Sequence, residues 1–370
     1  MRGSIAIWHE TIAEEAEGYA PSVEVHINIW RNGERSERDH FDLFDIGFRF
    51  KELRSLSSLS IGLPFILLRK ELVSDLFENM RDESTLSAIF NETLSPGELL
   101  NDGHMFQASS EKRVQFFVVK CPEAEREIRE IGIGEDRVSV ITLTDTFFNR
   151  LRGNVGDHYF RLRVKVPADQ SNGFVSTIQP KDAAFLSTIS TNEVVEFRLN
   201  ERRNFSPAIR EKIRKSRCSL SNISAIHYFL IRDMGVEMTQ AHTSFKKMRL
   251  LEPGMWDGYL DGCLGFSPDK MIIYHWSAMG DKPVESFTAL ATFRAYYTGN
   301  LLSYAAVIIL LGAMGSAVQG FGVALLSIIK LGVSRSENPG AYEILCSNAA
   351  VFLLAVAAVS AVVRSLQRKP

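Results

Sequence analysis

The chain has 370 residues, with 42 Lys and Arg against 44 Asp and Glu and a formal net charge of −2. That balance excludes attraction of the whole molecule to nucleic acid or anionic lipid, so any such contact has to be local. The four cysteines (Cys121, Cys218, Cys263 and Cys346) are scattered, with no CxxC pair. This excludes a disulfide framework and a zinc ribbon, and fits reduced cytoplasmic usage.

Residues 1–24 are mixed and acidic, without a basic segment followed by an apolar one, so no signal peptide is expected. Residues 22–30, SVEVHINIW, and 41–50, FDLFDIGFRF, alternate and carry β-branched or aromatic residues, which predicts two strands around an Asn32-Gly33 turn. Residues 58–68 read as a buried apolar stretch in which Pro64 marks an edge or an end. Leu72, Val73, Leu76 and Phe77 have helical spacing within 70–80, and a second short helix is expected over 83–91. Residues 94–112 read as loop, 113–120 as a strand, the charged run PEAEREIREIG as a short helix, and 137–143 as a strand. The opening 1–150 is thus expected to be an α+β cytoplasmic domain.

The part 151–295 is richer in strands, with extended stretches at 158–166, 193–200, 224–234 and 270–278, and weaker ones at 244–251 and 284–292. SPAIREKIRKSR (206–217) reads as a helix, with Ser206 as cap, Pro207 in the first turn and a basic end. The expectation is a β-rich cytoplasmic sensor domain.

Residues 301–329 and 344–363 carry no charge. The first exceeds and the second matches the roughly 20 residues that cross a bilayer core of about 30 Å, so 296–370 is expected to be a hairpin of two transmembrane helices with a short basic tail. Tyr296, Tyr297 and Tyr304 sit where an interfacial belt would, and Arg364, Arg368 and Lys369 favour cytoplasmic N and C termini and a multi-pass protein of the inner membrane. Gly312, Ser316 and Gly320 recur at four-residue spacing, and Ser316, Gln319, Val323 and Ser327 share a stripe. Such a stripe either packs helices together, Gln319 hydrogen-bonding across, or lines a wetted pore in an oligomer.

Enzyme signatures are few. There is no GxxxxGK[ST], GxGxxG between strand and helix, HExxH or GxSxG. MWDGYLDGCLG (255–265) reads as a turn, since its Asp257 and Asp261 lack calcium-loop spacing. Among the eight histidines, His26, His227 and His275 fall in expected strands, where a half-buried hydrogen-bonded role is the plain reading. Their spacing offers no metal-ligand pattern, and no metal or cofactor is expected. Shared acid–base work by His227, His275 and Asp233 stays open. The segment 201–217 holds Arg202, Arg203, Arg210, Arg214 and Arg217, with Arg210, Arg214 and Arg217 on one helical face. Such a face is solvated, rests on lipid or a partner, or binds the phosphates of a nucleotide or a short single-stranded nucleic acid.

The segments EFRLNERRNFSPAI, IHYFLIRD, RLLEPGMWDGYL and IIYHWS, closed by the two apolar runs, resemble membrane effectors of bacterial anti-phage operons, the Hailong-type channel effectors. The resemblance covers about residues 190–370. It implies a homo-oligomeric, non-enzymatic sensor in the lipid bilayer that acts as an ion channel in antiviral defence. Its trigger would be a nucleotide or nucleic-acid product of a partner nucleotidyltransferase. The alternatives are a membrane-tethered enzyme with its site in the middle region, and a non-catalytic scaffold or receptor.

Overall fold

The computed structural model describes residues 3–12, 21–31, 41–51, 53, 55–67, 69–110, 113–167, 173–178, 190–215, 218–296, 301–331 and 339–367. The chain opens with strands β1 (Ala6–Thr11), β2 (Ser22–Trp30), β3 (Phe41–Phe50), β4 (Leu56–Gly62) and β5 (Val73–Asp75). Helix α1 (Glu83–Phe90) precedes β6 (Ser95–Leu100), β7 (Met105–Ser110), β8 (Arg113–Val119), β9 (Arg126–Ile133) and β10 (Asp136–Leu143). Helix α2 (Asp145–Leu151) leads to β11 (His158–Pro167), β12 (Val175–Ile178) and β13 (Ser190–Leu199), and α3 (Pro207–Lys215) to β14 (Ser219–Leu220) and β15 (Asn222–Asp233). The order closes with β16 (Val236–Ala241), β17 (Lys247–Leu250), β18 (Met271–Met279), β19 (Phe287–Tyr296) and helices α4 (Leu301–Leu331) and α5 (Pro339–Gln367).

Strands dominate from the first residues onward, not in the middle alone. They build a five-stranded sheet (β14-β1-β4-β10-β9), a four-stranded sheet (β12-β13-β19-β16) and a large sheet ordered β17-β18-β15-β2-β3-β11-β8-β7-β6, with β5 paired to β11. β2 lies between β3, antiparallel, and β15, parallel, so segments 200 residues apart in sequence become neighbours. The chain divides into one unit of Met1–Ile178 and Glu193–Arg294 and a second of Gln179–Asn192 and Ala295–Pro370. Strands from both sides of residue 150 therefore share sheets within the first unit.

Alternation along the strands decides what each sheet face meets. Val23, Val25, Ile27 and Ile29 of β2, with Phe44, Ile46, Phe48 and Phe50 of β3, enter one core together with Ile7, Leu59, Ile61, Ile141, Phe197 and Phe293. The opposite face meets a second cluster, including Trp30, Leu43, Tyr159, Ile231, Trp256, Tyr259 and Ile273. On the outer side of the five-stranded sheet, α3 buries Ala208 and Ile209 against Trp8, Val138 and Val140. Gly62 makes that approach possible, since a Cβ there would lie 2.8 Å from the Trp8 ring and 2.9 Å from Ile209 Cδ1. Ser206 Oγ accepts the Ile209 N–H (3.2 Å), so α3 starts as its sequence predicts.

Three expected elements differ. Residues 70–80 form a 3-10 turn, the short strand β5 and a second 3-10 turn. β5 pairs with β11, and Leu76 N–H donates to the Arg161 carbonyl at 3.0 Å, so pairing overrides the helical spacing. The charged run after Pro122 is mostly strand β9, in unbroken antiparallel register with β10 from Asp136↔Ile133 to Leu143↔Arg126. β9 is an edge strand, where exposed charges such as Glu127, Arg129 and Glu130 suit solvent as well as they would on a helix. The expected loop at 94–112 is the hairpin β6–β7, turned by Asn101, Asp102 and Gly103, all with positive φ.

The C-terminal expectation needs the largest correction. α4 and α5 do form where the uncharged runs lie, but among the described residues no helix is long and apolar enough to cross a membrane. The expected transmembrane hairpin is withdrawn, and with it the membrane and ion-channel character and the multi-pass inner-membrane location. Absence of charge is a weaker property than continuous apolarity. Gly312, Gly315, Ser316, Gln319, Gly320 and Gly322 break the run of large apolar side chains along α4, and Ser347 and Asn348 do so along α5. Ala317 and Ala355 are buried, and Gly320 lies against Asn348, where a Cβ would come 2.5 Å from Nδ2. Asn32, Gly33, Tyr297, Arg217, Arg368 and Lys369, which earlier expectations invoke, lie outside the described residues.

Candidate functional site

The second face of the large sheet, over β18, β15, β2, β3 and β11, is unusually polar for a covered surface. Directly paired residues share a face, so register lays the side chains out in rows. One row runs Ser277, His227, His26, Gly47, Arg161. The next runs His275, Phe229, Asn28, Asp45, Arg163, and the row on the other side places Glu24 beside Arg49 and Tyr159. Period-two patterning puts Glu24, His26, Asn28 and Trp30 together while their neighbours fill the core.

Four of these groups form a hydrogen-bonded chain. His26 Nε2 lies 2.8 Å from Glu24 Oε1, and His227 Nε2 lies 3.4 Å from the same oxygen. His227 Nδ1 lies 3.3 Å from His275 Nε2. The donor atoms of Glu24, His26 and His227 are all within 4.8 Å of one another. Hydrogen bonds from His227 and then His26 hold the Glu24 carboxyl well below the usual carboxylate range. Burial pushes His26 down to about 4, against the opposing pull of Glu24. Burial, followed by the neighbouring His227 and Lys246, pushes His275 to about 4. Both rings are therefore neutral near pH 7, the form in which imidazole offers a lone pair. His26 is buried, whereas Glu24, His227 and His275 reach the surface in part. Phe229 stacks on His275 with ring centroids 4.3 Å apart, and Phe90 and Tyr159 each lie 5.5 Å from His26.

Behind this chain sits a buried ionic network. Asp45, fully buried, accepts from Arg163 Nε (2.7 Å) and Nη2 (3.0 Å), from Trp30 Nε1 (2.9 Å) and from Tyr259 Oη (2.7 Å). Burial raises its pKa, but the adjoining Arg163 guanidinium outweighs this and holds the carboxyl below its usual range. Arg161 donates through Nε to Tyr259 Oη and through Nη1 to Tyr159 Oη. Gly47 makes room for Tyr159, whose hydroxyl would lie 2.1 Å from a Cβ at that position. The segment 255–265 is thus more than a turn. It carries Tyr259 and Trp256 onto the sheet, and their side chains cover the network.

The residues singled out from sequence are placed as follows. Asp233 lies six residues beyond His227 on β15, about 20 Å along a strand, and caps the β15–β16 turn by accepting the Gly235 N–H. His227 and His275 do meet. The basic segment is largely paired within itself: Arg203 with Glu201 (3.0 Å), Arg214 with Glu211 (2.7 Å), and Arg210 Nη2 with the Phe205 carbonyl (2.9 Å). Arg202 lies in a 3-10 turn before α3, and Arg217 lies outside the described residues. In α4, Ser316, Gln319 and Val323 are exposed, Gly312 has open space around it, and the Ser327 side chain is outside the described set. A depression of about 380 Å³ opens on the five-stranded sheet beside Ser60, Thr142, Glu127 and Lys212, and shares no lining residue with the histidine chain. We place the site at the histidine chain because there, among the described residues, two imidazoles converge on one partly exposed carboxylate.

Glu24 is the member that sequence reasoning missed. Its signal was present as Glu-x-His at strand spacing, but the partners of that pair lie on β15 and β18. No protein-family model matches the chain, and no curated protein matches it.

Proposed function

We propose that this protein is a metal-dependent enzyme whose centre is Glu24, His26 and His227. The observation that carries this reading is the convergence of two imidazole nitrogens on one carboxylate oxygen, at 2.8 and 3.4 Å. Ligand atoms about 2.0–2.2 Å from a tetrahedral zinc stand about 3.3 Å apart; the two carboxylate–imidazole separations lie on either side of that, and all three ligand atoms are within 4.8 Å of one another. His275 behind His227 is the outer partner that fixes which ring nitrogen of His227 faces the ion. Among the described residues His26 Nδ1 is buried without a hydrogen-bond partner, which makes Glu24 and His227 the better-supported pair.

Three protein ligands leave a coordination position for water or substrate, and a divalent ion there lowers the pKa of bound water and polarises a carbonyl or phosphoryl oxygen. The reaction class we assign is metal-assisted hydrolysis. Among the alternatives carried by the sequence, this follows the enzymatic one, with the site on the sheet.

The test is zinc binding by the full chain, read as stoichiometry by elemental analysis after dialysis, together with chelator-sensitive ester hydrolysis. One zinc per chain, lost in Glu24→Ala and His227→Ala, supports the reading. Equal metal content in wild type and both variants removes it. Iron-dependent oxygen uptake without hydrolysis would replace the reaction class.

A further inference from the structure

Lys247 pairs with His275 across β17 and β18, so its side chain stands on the same face as the histidine chain, next to it. It is exposed and makes no ion pair among the described residues. The neighbouring Lys246 is tied to the same residue through its backbone, with its N–H donating to the His275 carbonyl at 2.7 Å. On the opposite side of Glu24 stands Arg49, its register partner, half-buried and paired with Asp157 at 3.0 Å. Behind lies Arg161, buried, with tyrosine hydroxyls and, among the described residues, no carboxylate as its hydrogen-bond partners.

The charges on this face do not cancel. Asp45 balances Arg163 and Asp157 balances Arg49, which leaves Glu24 against Arg161 and Lys247 before any ion is added. With a divalent ion the face becomes strongly cationic. A cationic surface concentrates anions, the more so the higher their charge.

We propose that the ligand of this centre is a phosphoryl oxyanion, one oxygen facing the ion and another held by Lys247. This rests on the metal reading above and specifies its substrate class as phosphate esters. A lysine suits that role, because its ammonium acts as a point charge on a flexible stem that reaches phosphate from the rim. The apolar walls from Phe229 and Phe90 leave the ester's organic part a surface to lie on.

The probe is inorganic phosphate, titrated calorimetrically into the zinc-loaded full chain, with acetate as the singly charged comparison. Phosphate is expected to bind the wild type more tightly than acetate. Its affinity is expected to fall at least about tenfold in Lys247→Glu, which removes one charge-assisted contact and adds a repelling carboxylate. Zinc content of Lys247→Glu reports whether the centre is intact. Retained zinc with unchanged phosphate affinity in that variant, or acetate binding as tightly as phosphate, overturns the inference and leaves the metal reading standing. Absence of zinc from the wild type overturns both.

Discussion

Arg161 and Tyr259, 98 residues apart in the chain, meet at 2.7 Å between Nε and the phenolic oxygen, which in turn donates to Asp45. The hydroxyl is thus the joint between a buried cation and a buried anion. Removing it as Tyr259→Phe leaves the Arg161 Nε donor unmet in the interior and takes away one of the donors to Asp45, which keeps Arg163 and Trp30. The expected loss is about 1–3 kcal/mol, since leaving buried partners unsatisfied costs more than the bond itself contributes. Chemical unfolding of the variant, with an unchanged denaturant slope, checks the figure. No loss would mean that water enters the network freely.

Gly47 offers a second handle on the same network. A methyl at this position overlaps the Tyr159 hydroxyl that accepts from Arg161. Gly47→Ala is expected to destabilise by about 1–3 kcal/mol, the usual cost of overpacking. Combined with Tyr159→Phe, which withdraws the clashing oxygen, part of that loss should return. An additive double variant would show that the two positions do not share space.

Asp75 yields a pH dependence of defined sign. Burial raises its carboxyl from 3.8 to about 7, against the opposing hydrogen bonds from the Cys121 and Phe77 N–H groups. Between about pH 4 and pH 7 the folded chain therefore holds a proton that the unfolded chain has released. Stability from this group falls as pH rises through that window and is flat above it. Asp45 and Glu24, both held low, contribute in the opposite sense at lower pH. Urea midpoints at pH 5 and pH 8 should show a smaller decline with pH in Asp75→Asn than in the wild type. An equal decline would dismiss the assignment.

Within the C-terminal unit, Gly320 of α4 lies against Asn348 of α5. A leucine there has to displace the end of a flexible side chain, at a cost of about 1 kcal/mol. Hydrogen exchange over 310–325 and 344–355 should accelerate in Gly320→Leu but not in Gly312→Leu, because Gly312 has open space around it.

Periodicity along the chain was enough to place β2, β3, β11, β15 and β18, and the Ser206-Pro207 start was enough to place α3. These are local properties: alternation and capping act over a few residues, so sequence carries them. It also put Glu24 and His26 on one face, and His227 and Phe229 on one face. Strand neighbours are not local. The parallel pairing of β2 with β15, which brings His227 beside His26, depends on backbone hydrogen bonds between distant segments. Nothing in either segment alone specifies that partner. The same cause turned the charged run after Pro122 into an edge strand, and the helical spacing at 70–80 into β5. In the C-terminal runs, the missing charges were legible, and so were the helices. What those helices pack against was decided only in three dimensions, where Gly320 and Ala317 turn one face of α4 towards α5 while Gln319 stays exposed.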